Sequence, residues 1–202
     1  MSRPLRGLGR LLLPLLLLAG CATAPLTPEG ADAWLRRQAQ VAALDTWTLQ
    51  GRFSLTLENE AWHANLHWQE QNGRYTLRVS TPLGQGAALI EGGPGAVTIQ
   101  LPDGTRDEAP DAETLLTRHL GWQLPVDGLQ WWIRGLPAPA TSYRPGFDAE
   151  GRLERLEQDG WRIDYREYTT VDGLLLPRKV FLTRDRLDLR LVVSEWQLPA
   201  GG

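Results

Sequence analysis

The chain has 202 residues, with 21 Lys and Arg against 24 Asp and Glu for a formal charge of −3, nine tryptophans and one cysteine. This length suits one domain with a substantial core, and a lone cysteine leaves no partner for an internal disulfide. The acidic balance excludes the basic stripe that nucleic-acid phosphates require.

The first twenty residues carry Arg3, Arg6 and Arg10, no acidic residue, and an apolar run from Leu11 to Leu18 broken only by Pro14. That is the pattern of a secretory signal peptide, and the run falls short of the roughly 20 residues that cross a bilayer. Leu18-Ala19-Gly20-Cys21 then has two readings. One is a lipobox, after which Cys21 becomes the first mature residue and carries diacylglycerol and an N-acyl chain. The other is an ordinary cleavage site that happens to precede a cysteine. With no second cysteine to pair in an oxidising compartment, the lipobox accounts better for Cys21. Removing residues 1–20 leaves 18 basic and 24 acidic residues, a formal charge of −6. Ala22 follows the cysteine, and the absence of Asp there, the usual inner-membrane retention signal in many bacteria, favours the outer membrane. Residues 21–30, with Pro25, Pro28 and Gly30, read as the lipidated cysteine and a flexible tether, and 31–198 as a single domain.

Ala31 to Leu44 predicts an amphipathic helix, with Trp34, Val41 and the set Leu35, Ala39 and Ala42 at helical spacing. After Asp45 the period changes to two. Trp47, Leu49, Gly51, Phe53, Leu55 and Leu57 alternate with polar residues and predict a long half-buried strand. Trp62, Ala64, Leu66 and Trp68 repeat the pattern, as do Tyr75, Leu77 and Val79 after the turn Gln71-Asn72-Gly73. Ala87 to Glu91 and Ala96 to Leu101 add two strands around Gly92-Gly93-Pro94-Gly95, giving five consecutive antiparallel strands before the reversal at Pro102-Asp103-Gly104. Asp111 then caps a helix that carries Leu115, Leu116 and Leu120 and ends at Gly121. A second short helix after Pro125 carries Val126, Leu129, Trp132 and Ile133. Strands resume over Tyr143 to Phe147, Leu153 to Gln158, Trp161 to Tyr168, Leu174 to Thr183 and Leu187 to Gln197. About ten strands should curl into an open or closed barrel, mainly β with helices, whose inner face needs filling. The tryptophans are efficient lining for such an interior, although each taken singly reads equally well as plain core.

Read in order, Trp47-x-Leu49-x-Gly51-Arg52-Phe53, Trp68-Gln69, Tyr75-x-Leu77, Thr81-Pro82-Leu83-Gly84, Leu115-Leu116-x-x-x-Leu120-Gly121, Leu124-Pro125-Val126, Leu129-x-x-Trp132-Ile133-x-Gly135-x-Pro137, Gln158-x-Gly160-Trp161 and Leu176-Pro177 resemble the outer-membrane lipoprotein receptor family LolB. The resemblance covers essentially the whole mature chain. It implies a half-open antiparallel β-barrel of eleven strands with a helical lid. It also implies a monomer, lipid-anchored on the periplasmic face of the outer membrane, that takes acylated lipoproteins from the periplasmic carrier LolA and inserts them into outer-membrane lipid without ATP. A triacylated cargo exposes on the order of 40 methylenes at about 0.8 kcal/mol each, so its free passage through water would cost tens of kcal/mol. On this reading Trp47, Leu49, Phe53, Trp62, Trp68, Leu115, Leu116, Trp132, Ile133 and Trp161 are the candidates for the apolar cavity and its lid.

Leu83 follows Pro82 and precedes Gly84 in a loop between two strands. By itself it reads as a leucine folded back onto the core. The resemblance reverses this, because the leucine of the matching Pro-Leu-Gly loop protrudes and serves membrane insertion. Catalysis finds no support in the residues. His63 and His67 lack a third ligand nearby and read as solvated positions. Asp103, Asp107, Glu108 and Asp111 fit no calcium loop and read mostly as turn and cap residues. Ser54, Ser80, Ser142 and Ser194 occupy no nucleophile elbow. Besides lipoprotein reception, the residues leave open an envelope lipoprotein that binds another lipid or serves as a structural assembly factor, and more distantly a hydrolase.

Overall fold

The computed structural model describes residues 28–84 and 86–199, so the signal peptide, Cys21 and most of the expected tether lie outside the described residues. Helix α1 (Pro28–Ala42) begins three residues before the expected start. Proline fits the first turn of a helix, where no intrahelical acceptor awaits its missing N–H. The buried stripe of α1 runs through Trp34 and Val41, with Arg37 and Gln38 half-buried between them. Leu35, Ala39 and Ala42, expected on the inner face, are exposed; the polar Arg37 takes the position between the two apolar anchors.

Six strands follow as a meander: β1 (Thr46–Leu57), β2 (Glu60–Gln71), β3 (Arg74–Ser80), β4 (Ala87–Gly92), β5 (Val97–Gln100) and β6 (Arg106–Ala109). Two helices intervene, α2 (Ala112–Leu120) and α3 (Val126–Trp132). A second meander closes the chain: β7 (Tyr143–Phe147), β8 (Leu153–Gln158), β9 (Trp161–Val171), β10 (Leu174–Arg184) and β11 (Leu187–Gln197). β1 and β11 pair with each other, joining the meanders into one antiparallel sheet of eleven strands, ordered β6-β5-β4-β3-β2-β1-β11-β10-β9-β8-β7. Strand β6 was not expected from the sequence. Its residues, Arg-Asp-Glu-Ala, bury only Ala109, so no apolar alternation announces it, and short charged strands suit an unprotected sheet edge.

β6 and β7 do not pair, so the barrel is half-open, and α2 and α3 sit across the gap between its flanks. α2 packs on β5 and β6, while the Tyr165 hydroxyl of β9 donates to the Trp132 carbonyl at the end of α3 (2.9 Å). Local chemistry fixes both helix ends as the sequence predicts. Asp111 accepts from the Thr114 N–H (2.7 Å), and Gly121, at φ 73°, closes α2 with its N–H on the Thr117 carbonyl (3.1 Å). Gly51 has a different reason. It lies at the register shift between β1 and β11, where a Cβ would stand 2.6 Å from the Val192 carbonyl oxygen. Among the described residues the buried core runs from Trp34 to Trp196, drawing on α1, the sheet and both covering helices.

Candidate functional site

Where α2 and α3 cover the inner face of β1 to β4 and β11, the side chains leave a cavity of about 70 Å3 lined by apolar groups alone. Phe53, Trp68, Leu77, Ile90, Leu189 and Leu191 form its floor, and Leu116, Trp122, Leu124, Val126, Leu129 and Ile133 its helical cover. Of the sequence candidates, Phe53, Trp68, Leu116 and Ile133 meet here. Trp62 lies at the adjoining mouth, among residues of the β1–β2 and β10–β11 turns. Trp47, Leu49, Leu115, Trp132 and Trp161 do not line the cavity. They are core residues, at most 2 % exposed, with Trp47 packed against Trp68 and Trp196, and Trp132 against Trp161. Sequence reasoning missed most of the lining, Trp122 and Leu124, Leu189 and Leu191, and also Leu66, Leu77, Val79, Ile90, Val126 and Leu129. The strand alternation does carry Leu189 and Leu191 as one face of β11, but Trp122 lies in a segment with no periodicity, between a helix stop and Pro125.

A polar frame holds the cover in place. Arg134, just past α3, is 4 % exposed and donates to the carbonyls of Gln130 (2.8 Å), Val41 (3.2 Å) and Leu44 (3.3 Å). Its guanidinium stacks on Trp131 and Trp47, at 4.9 and 5.5 Å from the ring centroids. Arg37 of α1 reciprocates with bonds to the Arg134, Gly135 and Leu175 carbonyls. The C-terminal ends of α1 and α3 thus bind each other through arginines, which satisfies carbonyls that helix ends leave without partners. Burial pushes the Arg134 pKa down to about 10, against the attraction of Glu70, so the side chain keeps its charge at neutral pH. Burial pushes the Glu70 carboxyl up, opposed by Arg134 and then by Trp68. On the far side of the cover, Gln158 accepts from the Trp132 indole N–H and from the Ala138 N–H, each at 2.8 Å.

The loop after β3 is built as a tight turn in which the Gly84 N–H donates to the Thr81 carbonyl (2.8 Å) and Gly84 adopts φ 76°. Nothing would crowd a Cβ at Gly84, so the glycine is there for its left-handed backbone. Pro82 and Leu83 lie at the tip, and Leu83 is 85 % exposed. The leucine does not fold back onto the core as its residue type alone suggests. His63 is exposed and His67 half-exposed, on the strand face opposite Ala64 and Trp68. Asp103 serves as a turn residue, accepting from the Thr105 N–H (2.9 Å), and Asp111 as a cap. Asp107 and Glu108 depart from the turn-and-cap reading and belong to β6. His119 of α2 lies 2.8 Å from the Asp107 carboxylate, which also pairs with Arg118.

The half-open sheet has relatives among solved structures. A LolA superfamily protein from Nitrosomonas europaea superposes with a TM-score of 0.57 at 10% identity, over 85% of this chain and 94% of that one. A putative outer membrane lipoprotein-sorting protein domain from Vibrio parahaemolyticus superposes at 0.56 with 12% identity, over 86% and 93%. At such identities the likeness concerns the fold alone. Sequence relatives are far nearer: the outer-membrane lipoprotein LolB of Pseudomonas paraeruginosa is 41% identical over 91% of this chain and 92% of its own length. That of Stutzerimonas stutzeri is 40% identical over 90% and 91%. The family model described as outer membrane lipoprotein LolB matches residues 45–196, from the residue before β1 to the end of the last strand but one residue. With that match spanning sheet, cavity and cover, the chain belongs to the LolB family.

Proposed function

We propose that this chain is an outer-membrane lipoprotein, held by lipid on Cys21, that receives acylated lipoproteins from a soluble LolA-type carrier and delivers them into the outer membrane. The observation that carries this reading is the wholly apolar cavity between the helical cover and the sheet, in a chain of the LolB family. An apolar cavity of about 150 Å3 takes a single benzene ring. The cavity here is about 70 Å3, so a myristoyl-sized chain enters only if the cover moves. Cargo affinity therefore includes the work of separating α2 and α3 from the sheet.

Transfer then needs no catalysed covalent step and no nucleotide. Its direction follows from an order of affinities, in which the receptor holds acyl chains more tightly than the carrier does and the membrane more tightly still. Anchoring through Cys21 keeps the mouth and the Leu83 loop near the bilayer and raises their effective concentration there. The test is to mix a chain beginning at Ala22, which retains every core residue, with carrier loaded with a radiolabelled lipoprotein. The label should pass to this protein without ATP, and its retention on the carrier would overturn the assignment.

A further inference from the structure

Two spaces lie on either side of one segment of chain, one mixed in character and one apolar. Outside, the turns after β1 and β10 frame a mouth of about 670 Å3 whose lining includes Glu58, Glu60, Arg184 and Arg186. Inside lies the apolar cavity. Residues 121–124 form part of the wall between them: Gly121 and Gln123 line the mouth, whereas Trp122 and Leu124 line the cavity.

Trp122 fills the gap. Its ring stands edge-on to Phe53 of the cavity floor (5.9 Å, 90°) and to Trp62 of the mouth (5.8 Å, 66°), and it is 6 % exposed. Its backbone is tied to α2 at both ends, the N–H donating to the Leu116 carbonyl (3.2 Å) and the carbonyl accepting from the Thr117 hydroxyl (3.2 Å). Its indole N–H has no hydrogen-bond partner among the described residues, so apolar contacts, the two edge-on aromatic ones among them, hold the ring in the gap.

We propose that Trp122 is the plug between mouth and cavity, and that an acyl chain reaches the cavity by displacing this ring from between Trp62 and Phe53. The proposal rests on the reading that the cavity takes acyl chains. It makes Trp122 a gating residue that moves with α2, and it assigns the mouth, with its charged Glu58, Glu60, Arg184 and Arg186, to the headgroup end of the ligand.

Labelling the chain from Ala22 with 5-fluorotryptophan resolves the rings by 19F NMR, and W122F, W62F and W68F assign three of them. Titration with dansyl-labelled undecanoic acid should shift the Trp122 and Trp62 resonances. In stopped-flow measurements W122A should accept this probe about tenfold faster than the parent, and W122F, which keeps a ring in the gap, by a smaller factor. An unchanged unfolding midpoint for W122F keeps the comparison valid if W122A folds poorly. A shift at Trp68 with Trp122 unmoved and association rates unchanged would overturn the plug while leaving the acyl-binding reading intact. No shift at any ring under saturating probe would overturn both.

Discussion

Arg134 has its guanidinium over the Trp47 and Trp131 rings while three carbonyls accept from it, Val41 in the last turn of α1, Leu44 just past it and Gln130 of α3. Arg134→Ala would remove the side-chain donor from the Gln130 and Leu44 carbonyls, one of two donors from Val41, and the positive charge that attracts Glu70, at a cost of about 3 kcal/mol. For a domain of this size that is a fall in Tm on the order of 10 °C, measurable by thermal unfolding. Arg134→Lys should recover little of it, because an ammonium cannot span carbonyls on separate elements or lie flat between two rings. Leu83 is the opposite kind of residue. At 85 % exposure it contributes almost nothing to packing. Leu83→Glu should therefore leave Tm within about 1 °C and leave uptake from the carrier intact, while delivery into liposomes is lost, since a carboxylate does not enter the lipid interface as a leucine does. Normal delivery by this variant would remove the loop from the mechanism.

Between elements, the contact of α2 with β6 depends on Asp107. His119 and then Arg118 hydrogen-bond its carboxylate and hold its pKa down to about 2, against 3.8 ordinarily. A carboxylate depressed in the folded state stabilises it above the unfolded value and loses that contribution as pH falls through the folded one. The pairing should thus persist at pH 4 and fail towards pH 2. The Asp107 carboxyl resonance should titrate with a midpoint near 2; a midpoint near 3.8 would show the pairing absent in solution. The same two elements mark what was hard to read in advance. The α2 boundaries were legible because Asp111 and Gly121 act through local backbone bonds. β6 was not, since an edge strand of charged residues is specified by its partner β5 rather than by its own pattern. In α1 the spacing was right and the face half wrong, because the helix lays the half-buried Arg37 against Trp34 and Tyr168 and leaves Leu35 in water.

For the whole molecule, the half-open sheet turns one apolar surface into two functions, a packed core on one flank and a cavity under α2 and α3 on the other. The reciprocal bonds of Arg37 and Arg134 tie the C-terminal end of α3 to α1, Asp107 ties the C-terminal end of α2 to β6, and the Trp122 ring is held against Phe53 and Trp62 by apolar contact. The sequence by itself determined ten of the eleven strands, the helical insert, the loop at Pro82-Leu83-Gly84 and the family, because these rest on local periodicity, caps and ordered motifs. Only the tertiary structure decided which tryptophans line the cavity and which are core, that β1 pairs with β11, and that Trp122 stands at the mouth. Those properties arise where strands distant in sequence curve around the helices, and no local pattern encodes the curvature that brings Phe53, Trp62 and Trp122 together.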